Sequence, residues 1–250
     1  MTNALLPVAP RTAPVYERGR TIDTDGTIYP DDDGLPMSDN TLQFEWIVTL
    51  KENLEALFAN APDVFVAGNL LWYPVQKSND LRRAPDVFVA FGRPKGYRGS
   101  YQQWLEDGVP PQVVFEILSP GNRFSDMMEK RDFYEQYGVE EYYVYDPRDF
   151  DLTVWNRVAS PPGVARFALL HPPQDFVSTL LGVRFEVRPG VPLRLYRSDG
   201  QPFLSFTELM ALRDAAQQER NRAERERDVA VARAERLAAR LRELGEEPEE

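Results

Sequence analysis

Gln112-Val113-Val114-Phe115-Glu116-Ile117-Leu118 is a near-continuous apolar run with one carboxylate inside it, and Ser119-Pro120-Gly121-Asn122 breaks the chain directly afterwards. Such a run, bounded by turn residues, reads as a strand buried on both faces. Glu116 is the odd member, because an ionised carboxylate among apolar neighbours is costly unless something pairs with it. A second strand is read just upstream in Asp86-Val87-Phe88-Val89-Ala90-Phe91, where an acid follows Pro85 and opens the run. Downstream, residues 123–137 read as a helix, with Gly138 in the position expected after its C-terminus.

Working outward, residues 41–60 read as a helix. Phe44, Ile47, Val48, Leu54, Leu57 and Phe58 recur at helical spacing. Ser38, Asp39 or Asn40 is placed to cap it, and Asn60-Ala61-Pro62-Asp63 ends it. Residues 64–72 read as a strand rich in β-branched and aromatic side chains. Residues 141–145 form the next strand, stopped by Asp146-Pro147. The order helix, three strands, helix, strand predicts an α/β core with a mixed sheet. Shorter strands are expected at 151–157, 166–170, 183–187 and 191–194.

Residues 1–37, rich in Pro, Gly and Asp, read as an extended arm, with Asp31-Asp32-Asp33-Gly34 as a solvated turn. Residues 206–244 lack Pro and Gly and are dominated by Ala, Arg and Glu. Leu209, Ala216, Ala223, Ala230, Leu237 and Leu244 are spaced by seven, which suits a long helix packing along one seam. The half-heptad partners Glu219, Glu226 and Arg233 are charged. An exposed helix with i,i+4 ion pairs and a weak coiled coil both fit. The expected organisation is therefore an arm at 1–37, a core domain at 38–205 and a helix at 206–250.

Composition narrows the chemistry. The chain has 250 residues and a formal net charge of −11, which argues against a broad nucleic-acid-coating surface and leaves room for a local basic cleft. Cysteine is absent, so disulfides, thiolate ligands and cysteine nucleophiles are excluded, and a reducing cytoplasm is expected. His171 is the only histidine, which rules out a multi-histidine metal site; its Leu-Leu-His-Pro-Pro context reads as a loop or strand end. Any metal must be held mainly by oxygen, favouring Mg²⁺ or Mn²⁺. No apolar run is long enough to span a bilayer, and the N-terminal residues do not read as a secretory signal.

A divalent cation held between Asp86 and Glu116 accounts for both carboxylates. Asp126, Lys130 and Tyr134 are spaced by four and share a helix face, so Lys130 can point back at the strand ends. Two carboxylates, an ammonium and a hard cation suffice for phosphodiester hydrolysis. Plainer readings stand beside this. Asp86 also fits a strand-start residue, Glu116 a buried ion pair with Lys130 or Arg131, and Asp126 with Lys130 a surface pair. Tyr134, Tyr137, Tyr142 and Tyr143 read as core. The loop 92–111 carries Arg93, Lys95, Tyr97, Arg98, Tyr101 and Trp104, and reads either as a phosphate contact or as ordinary surface.

Ala84-Pro85-Asp86-Val87-Phe88-Val89, Val113 to Pro120, Lys130 with Tyr134, Gly138 to Tyr142 and Asp146-Pro147 together resemble the Uma-two family of endonucleases, placed in the PD-(D/E)XK superfamily. The resemblance covers roughly residues 35–195. It implies a restriction-endonuclease-like fold whose core order is the one read above. It also implies that Asp86, Glu116 and the backbone carbonyl of Ile117 hold Mg²⁺ or Mn²⁺. Leu118 stands where the superfamily carries lysine, and the resemblance implies that Lys130 supplies the missing cation. Glu45 matches a place where some members carry an extra acid. The implied function is metal-dependent cleavage of DNA, with Arg93, Lys95 and Arg98 as nucleic-acid contacts. The alternative is a nuclease-fold module that binds nucleic acid or protein without cutting, or pairs with a second copy through the core domain or the C-terminal helix.

Overall fold

The computed structural model describes residues 15–17, 20–30, 40–160, 164–170 and 175–243. The Asp31–Gly34 turn, His171 and Leu244 fall outside the described residues. The chain divides into two compact units, one running to Phe203 and the other starting at Leu204.

Within the stretch read as an extended arm, β1 (Val15–Glu17), β2 (Arg20–Ile22) and β3 (Ile28–Pro30) form an antiparallel sheet. Tyr29 anchors it: its ring is fully buried against Tyr73 and Trp104. Three-residue strands among polar neighbours leave almost no periodicity to read.

Helix α1 spans Thr41–Leu57, and Asn40 caps it by accepting a hydrogen bond from the Gln43 backbone N–H at 2.9 Å. Its buried face is Gln43, Ile47, Leu50 and Leu54, whereas Phe44 and Val48 are exposed. The expected apolar face was thus partly the wrong one, because a polar residue sits on the buried stripe.

The strands β4 (Val64–Gly68), β5 (Trp72–Tyr73), β6 (Val87–Phe91), β7 (Tyr101–Gln102) and β8 (Val113–Ile117) follow. The single strand expected at 64–72 splits, since Asn69 takes a positive φ of 50°. Beyond that break β5 leaves the main sheet and pairs in parallel with β7. Helix α2 (Phe124–Tyr137) then carries the chain to β9 (Glu141–Asp146), which pairs in parallel with β8. A parallel pair needs such a crossover, and α2 supplies it. The hairpin β10 (Asp151–Ser160) and β11 (Val164–Leu170) extends the edge. The result is a mixed six-stranded sheet in the order β11-β10-β9-β8-β6-β4. The helix, three-strand, helix, strand order expected from the sequence is present as α1, β4-β6-β8, α2, β9.

Strand β8 is buried throughout and alternates between two cores. Val113, Phe115 and Ile117 face α1 and a second sheet of β12 (Asp175–Val177), β13 (Arg184–Arg188) and β14 (Val191–Tyr196). Val114 faces an aromatic core with Trp72, Phe88, Phe133, Tyr134 and Tyr142, on the side of α2. Glu116 shares that face by alternation.

In the second unit, α3 spans Phe206–Glu243. Ser205 and Glu208 close a reciprocal cap: the Ser205 N–H donates to Glu208 Oε2 at 2.8 Å and the Glu208 N–H to Ser205 Oγ at 3.3 Å. Arg222 and Glu226 form one of its i,i+4 pairs. Leu209, Leu212 and Leu237 are exposed.

Gly138 ends α2 in the left-handed region with φ 104°, and a Cβ there would meet Pro110 Cγ at 2.9 Å. Gly138→Ala should lower stability by about 1–3 kcal/mol through strain and this close contact. A urea titration reads the effect as a lower midpoint; an unchanged midpoint would show that Pro110 yields freely.

Candidate active site

The register of β6 and β8 decides which side chains meet. Val87 lies opposite Phe115 in this antiparallel pair, so one step further Asp86 lies opposite Glu116. Both are buried, at 6% and 2% exposure. Like charges placed directly across a strand pair repel, and more so without water. The surrounding donors answer that repulsion. The Ile117 N–H donates to Asp86 Oδ2 at 2.7 Å. From α2, the Lys130 ammonium donates to Glu116 Oε2 at 2.6 Å, and the Tyr134 hydroxyl, one turn on, donates to Oε1 at 2.5 Å. From α1, Gln43 Nε2 donates to the Ile117 carbonyl at 3.0 Å, and its side chain also hydrogen-bonds the Asp86 carboxylate.

These surroundings set the ionisation. Burial, then the nearby Glu116 carboxylate, push Asp86 up to about 7; Lys130 and the hydrogen bonds from Ile117 and Gln43 only partly counter them. For Lys130, burial alone would favour the neutral amine. The Glu116 and Asp86 carboxylates outweigh it, and the ammonium is held above the ordinary lysine value. Burial and then Glu116 drive the Tyr134 phenol far up, so it remains a donor.

Asp86, Glu116, Ile117, Lys130 and Tyr134 are thus brought together. Leu118, at the position where the superfamily carries lysine, packs against the aromatic core, and Lys130 reaches Glu116. The ion pair read as the plainer alternative is present as well, with Lys130 as the partner, whereas Arg131 pairs with Asp132 and Glu135.

Other candidates lie elsewhere. Glu45 is exposed; it sits two residues beyond Gln43, about 200° round the helix, so α1 presents an amide to the site where an acid was expected. Asp126 is exposed and accepts from the Ser125 hydroxyl at 3.1 Å. The loop cations begin from the wrong end of β6. Asp86 precedes that five-residue strand and Arg93 follows it, which sets them roughly 17 Å or more apart. Arg93 pairs with Asp107 at 2.6 Å, Lys95 with Glu55 at 2.9 Å, and Arg98 with Glu106 at 2.6 Å while lying 3.9 Å from the Phe65 ring centroid. Arg83, which pairs with Glu129 at 3.4 Å, carries a charge that acts on Lys130.

Gln43 was missed. The available signal was its place on the Ile47, Leu50, Leu54 stripe, four residues before Ile47. Among the described residues no group of three or more His, Cys, Asp and Glu is placed to hold a metal ion, so the Asp86–Glu116 pair with the Ile117 carbonyl is the oxygen set to consider.

Residues 18–185 match the family model Uma2, described as "Putative restriction endonuclease". The chain belongs to the Uma2 family. A solved structure described as "a putative nuclease belonging to DUF820 from Anabaena variabilis" is similar at 12% identity, with a TM-score of 0.42, covering 71% of this chain and 87% of that one. No curated protein matches. Membership of Uma2 places the chain among nucleases of the restriction-endonuclease kind, a class that usually uses divalent metal. No helix among the described residues is long and apolar enough to cross a membrane.

The raised value of Asp86 has a consequence for stability. Between its ordinary value near 4 and about 7 the folded protein holds a proton that the unfolded chain has released. Stability therefore falls as pH rises through that window and levels off above it, by on the order of a few kcal/mol. In EDTA, Asp86→Asn should unfold at higher temperature than the parent at pH 8, and the two should converge near pH 4–5. Parallel melting curves across this range would show that Asp86 is not held protonated by its surroundings.

Proposed function

We propose that this Uma2 chain is a divalent-metal-dependent endonuclease that hydrolyses phosphodiester bonds in DNA, with Asp86, Glu116 and Lys130 as its working residues. The observation that carries this reading is the pair of buried carboxylates set opposite each other, with an ammonium drawn onto one of them. Structural ion pairs need one carboxylate for one cation; here, among the described residues, the second carboxylate has no cation of its own.

The donors fit a hard cation. Two carboxylates and the Ile117 carbonyl are oxygen ligands of the kind Mg²⁺ and Mn²⁺ take, with water completing the shell. A bound ion supplies a water of lowered pKa and neutralises charge on the scissile phosphate. The side chains do the rest. Asp86 releases its proton on loading, which favours binding at and above neutral pH. Tyr134 holds one oxygen of Glu116 and so fixes the carboxylate plane. Lys130, held protonated, is no base at neutral pH; it donates a hydrogen bond to the attacking water or to a phosphoryl oxygen. Water attacks phosphorus in line as the bond from phosphorus to the leaving sugar oxygen breaks; the water's proton passes to solvent, and the sugar oxygen takes one up from solvent. Arg83, whose charge acts on Lys130 and which pairs with Glu129 at 3.4 Å, is the proposed contact to the phosphate backbone. The chemistry belongs to the core domain at 38–205, with α3 as an appended interaction element.

One set of contacts favours a second reading, a binding module that does not cut. Both Glu116 oxygens are already engaged, and Arg93, Lys95 and Arg98 are taken up by acidic neighbours.

The two readings part in one assay. Purified protein with Mg²⁺ or Mn²⁺ should nick or cleave DNA and lose this in EDTA. Lys130→Met should lower the rate about 100-fold or more while leaving Mn²⁺ binding in place. Asp86→Ala should lose both. If cleavage by the parent does not exceed that of Asp86→Ala, the chain is not a nuclease of this kind.

A further inference from the structure

Among the buried residues of α1, Gln43 is the polar one; Ile47, Leu50 and Leu54 complete the face. A leucine there would continue the stripe and pack against the sheet. An amide in the same place costs stability unless its polar atoms are matched. Gln43 matches them in a particular way. Its Nε2 donates to the Ile117 carbonyl at 3.0 Å, and the side chain hydrogen-bonds the Asp86 carboxylate. The Asp86 contact favours the ionised carboxylate, which accepts, so the amide nitrogen is the donor there as well.

The backbone makes this placement firm. Gln43 is the third residue of α1, and its N–H is the one that Asn40 Oδ1 accepts at 2.9 Å. The cap that starts the helix therefore fixes the residue that reaches the site. On the far side, Asp86 Oδ2 accepts from the Ile117 N–H at 2.7 Å. Asp86 and the Ile117 peptide are thus joined twice, directly and through the amide.

We infer that Gln43 is a positioning residue: its amide draws the Asp86 carboxylate and the Ile117 carbonyl to one point, so that both face the same divalent cation. This rests on the metal-dependent reading of the site. The amide suits the task because it donates without adding charge. A carboxylate has several acceptor positions and a carbonyl has two, so each oxygen can accept from Gln43 and still turn a lone pair to a cation. Hydrogen bonds of this sort orient metal-binding groups, and their loss typically weakens metal affinity 10- to 100-fold. A lysine at this position would bring a competing charge, and an acid would add repulsion to a pair that already repels.

The test is Mn²⁺ binding by the full-length chain, read from the free-ion electron paramagnetic resonance signal. Gln43→Met keeps the length of the side chain and removes its donors. Gln43→Asn keeps a buried amide and draws it back by one methylene, so that it cannot span both oxygens; it decides the matter if the methionine variant does not fold. Circular dichroism and thermal unfolding in EDTA confirm the folded state at the assay temperature. Both variants should bind Mn²⁺ at least tenfold more weakly than the parent. A packing role alone would lower the unfolding temperature and leave the Mn²⁺ dissociation constant of the folded protein unmoved. A constant within twofold of the parent, with parental binding lost in Asp86→Ala, overturns the role of Gln43 and leaves the metal reading standing. Absence of parental binding, or binding that survives Asp86→Ala, overturns both.

Discussion

Two carboxylates forced opposite each other in a dry interior are the constraint on which the rest of this structure turns. Asp86 and Glu116 occupy neighbouring positions of an antiparallel pair, where like charges are least welcome. The chain does not relieve this by exposing them. It surrounds them with donors from three directions: Lys130 and Tyr134 from α2, Gln43 from α1, and the Ile117 N–H from the strand itself. The compensation is incomplete, and the remainder appears as an Asp86 carboxyl that keeps its proton to about neutral pH. That residual cost is what the proposed divalent cation would relieve.

The fold can be read as the means of bringing those donors in. The break at Ser119–Asn122 lets α2 start immediately after β8, so that Lys130 and Tyr134, one turn apart, look back at Glu116. The parallel pairing of β8 with β9 requires the chain to cross over, and α2 is that crossover. Antiparallel strands alone would have put a hairpin there and left Glu116 without its lysine. Alternation along β8 does the remaining sorting, sending Phe115 and Ile117 to one core and Glu116 to the other.

Much of this was legible in the sequence because the signals were local. Glu116 stood out against its apolar neighbours, Asp86 followed a proline at a strand start, and Lys130 and Tyr134 differed by one helical turn. The core order was legible for the same reason. What was not legible depended on small strands or on direction. Among the described side chains of the β1, β2 and β3 sheet, the fully buried ring of Tyr29 marks it, and the break at Asn69 turns on a backbone conformation that composition does not show. Gln43 was hidden because Phe44 and Val48, which are exposed, made a competing apolar pattern, and the family resemblance pointed to Glu45 on the same helix. The loop cations are a different failure. A loop that follows β6 leaves from the end opposite Asp86, so the separation of Arg93 from the site was implied by the strand that the sequence already showed. The ion pairs that absorb their charge, with Glu106, Asp107 and Glu55, join residues too far apart in sequence to be guessed.

The account's central claim is that Asp86 and Glu116 share a divalent cation. Anomalous diffraction from crystals of the full chain grown or soaked with Mn²⁺ tests it most directly. The account predicts one strong peak bounded by Asp86, Glu116 and the Ile117 carbonyl, with Lys130 close by. A structure with Mn²⁺ at exposed carboxylates and none between these two, with Asp86 and Glu116 still held only by their protein donors, would contradict it.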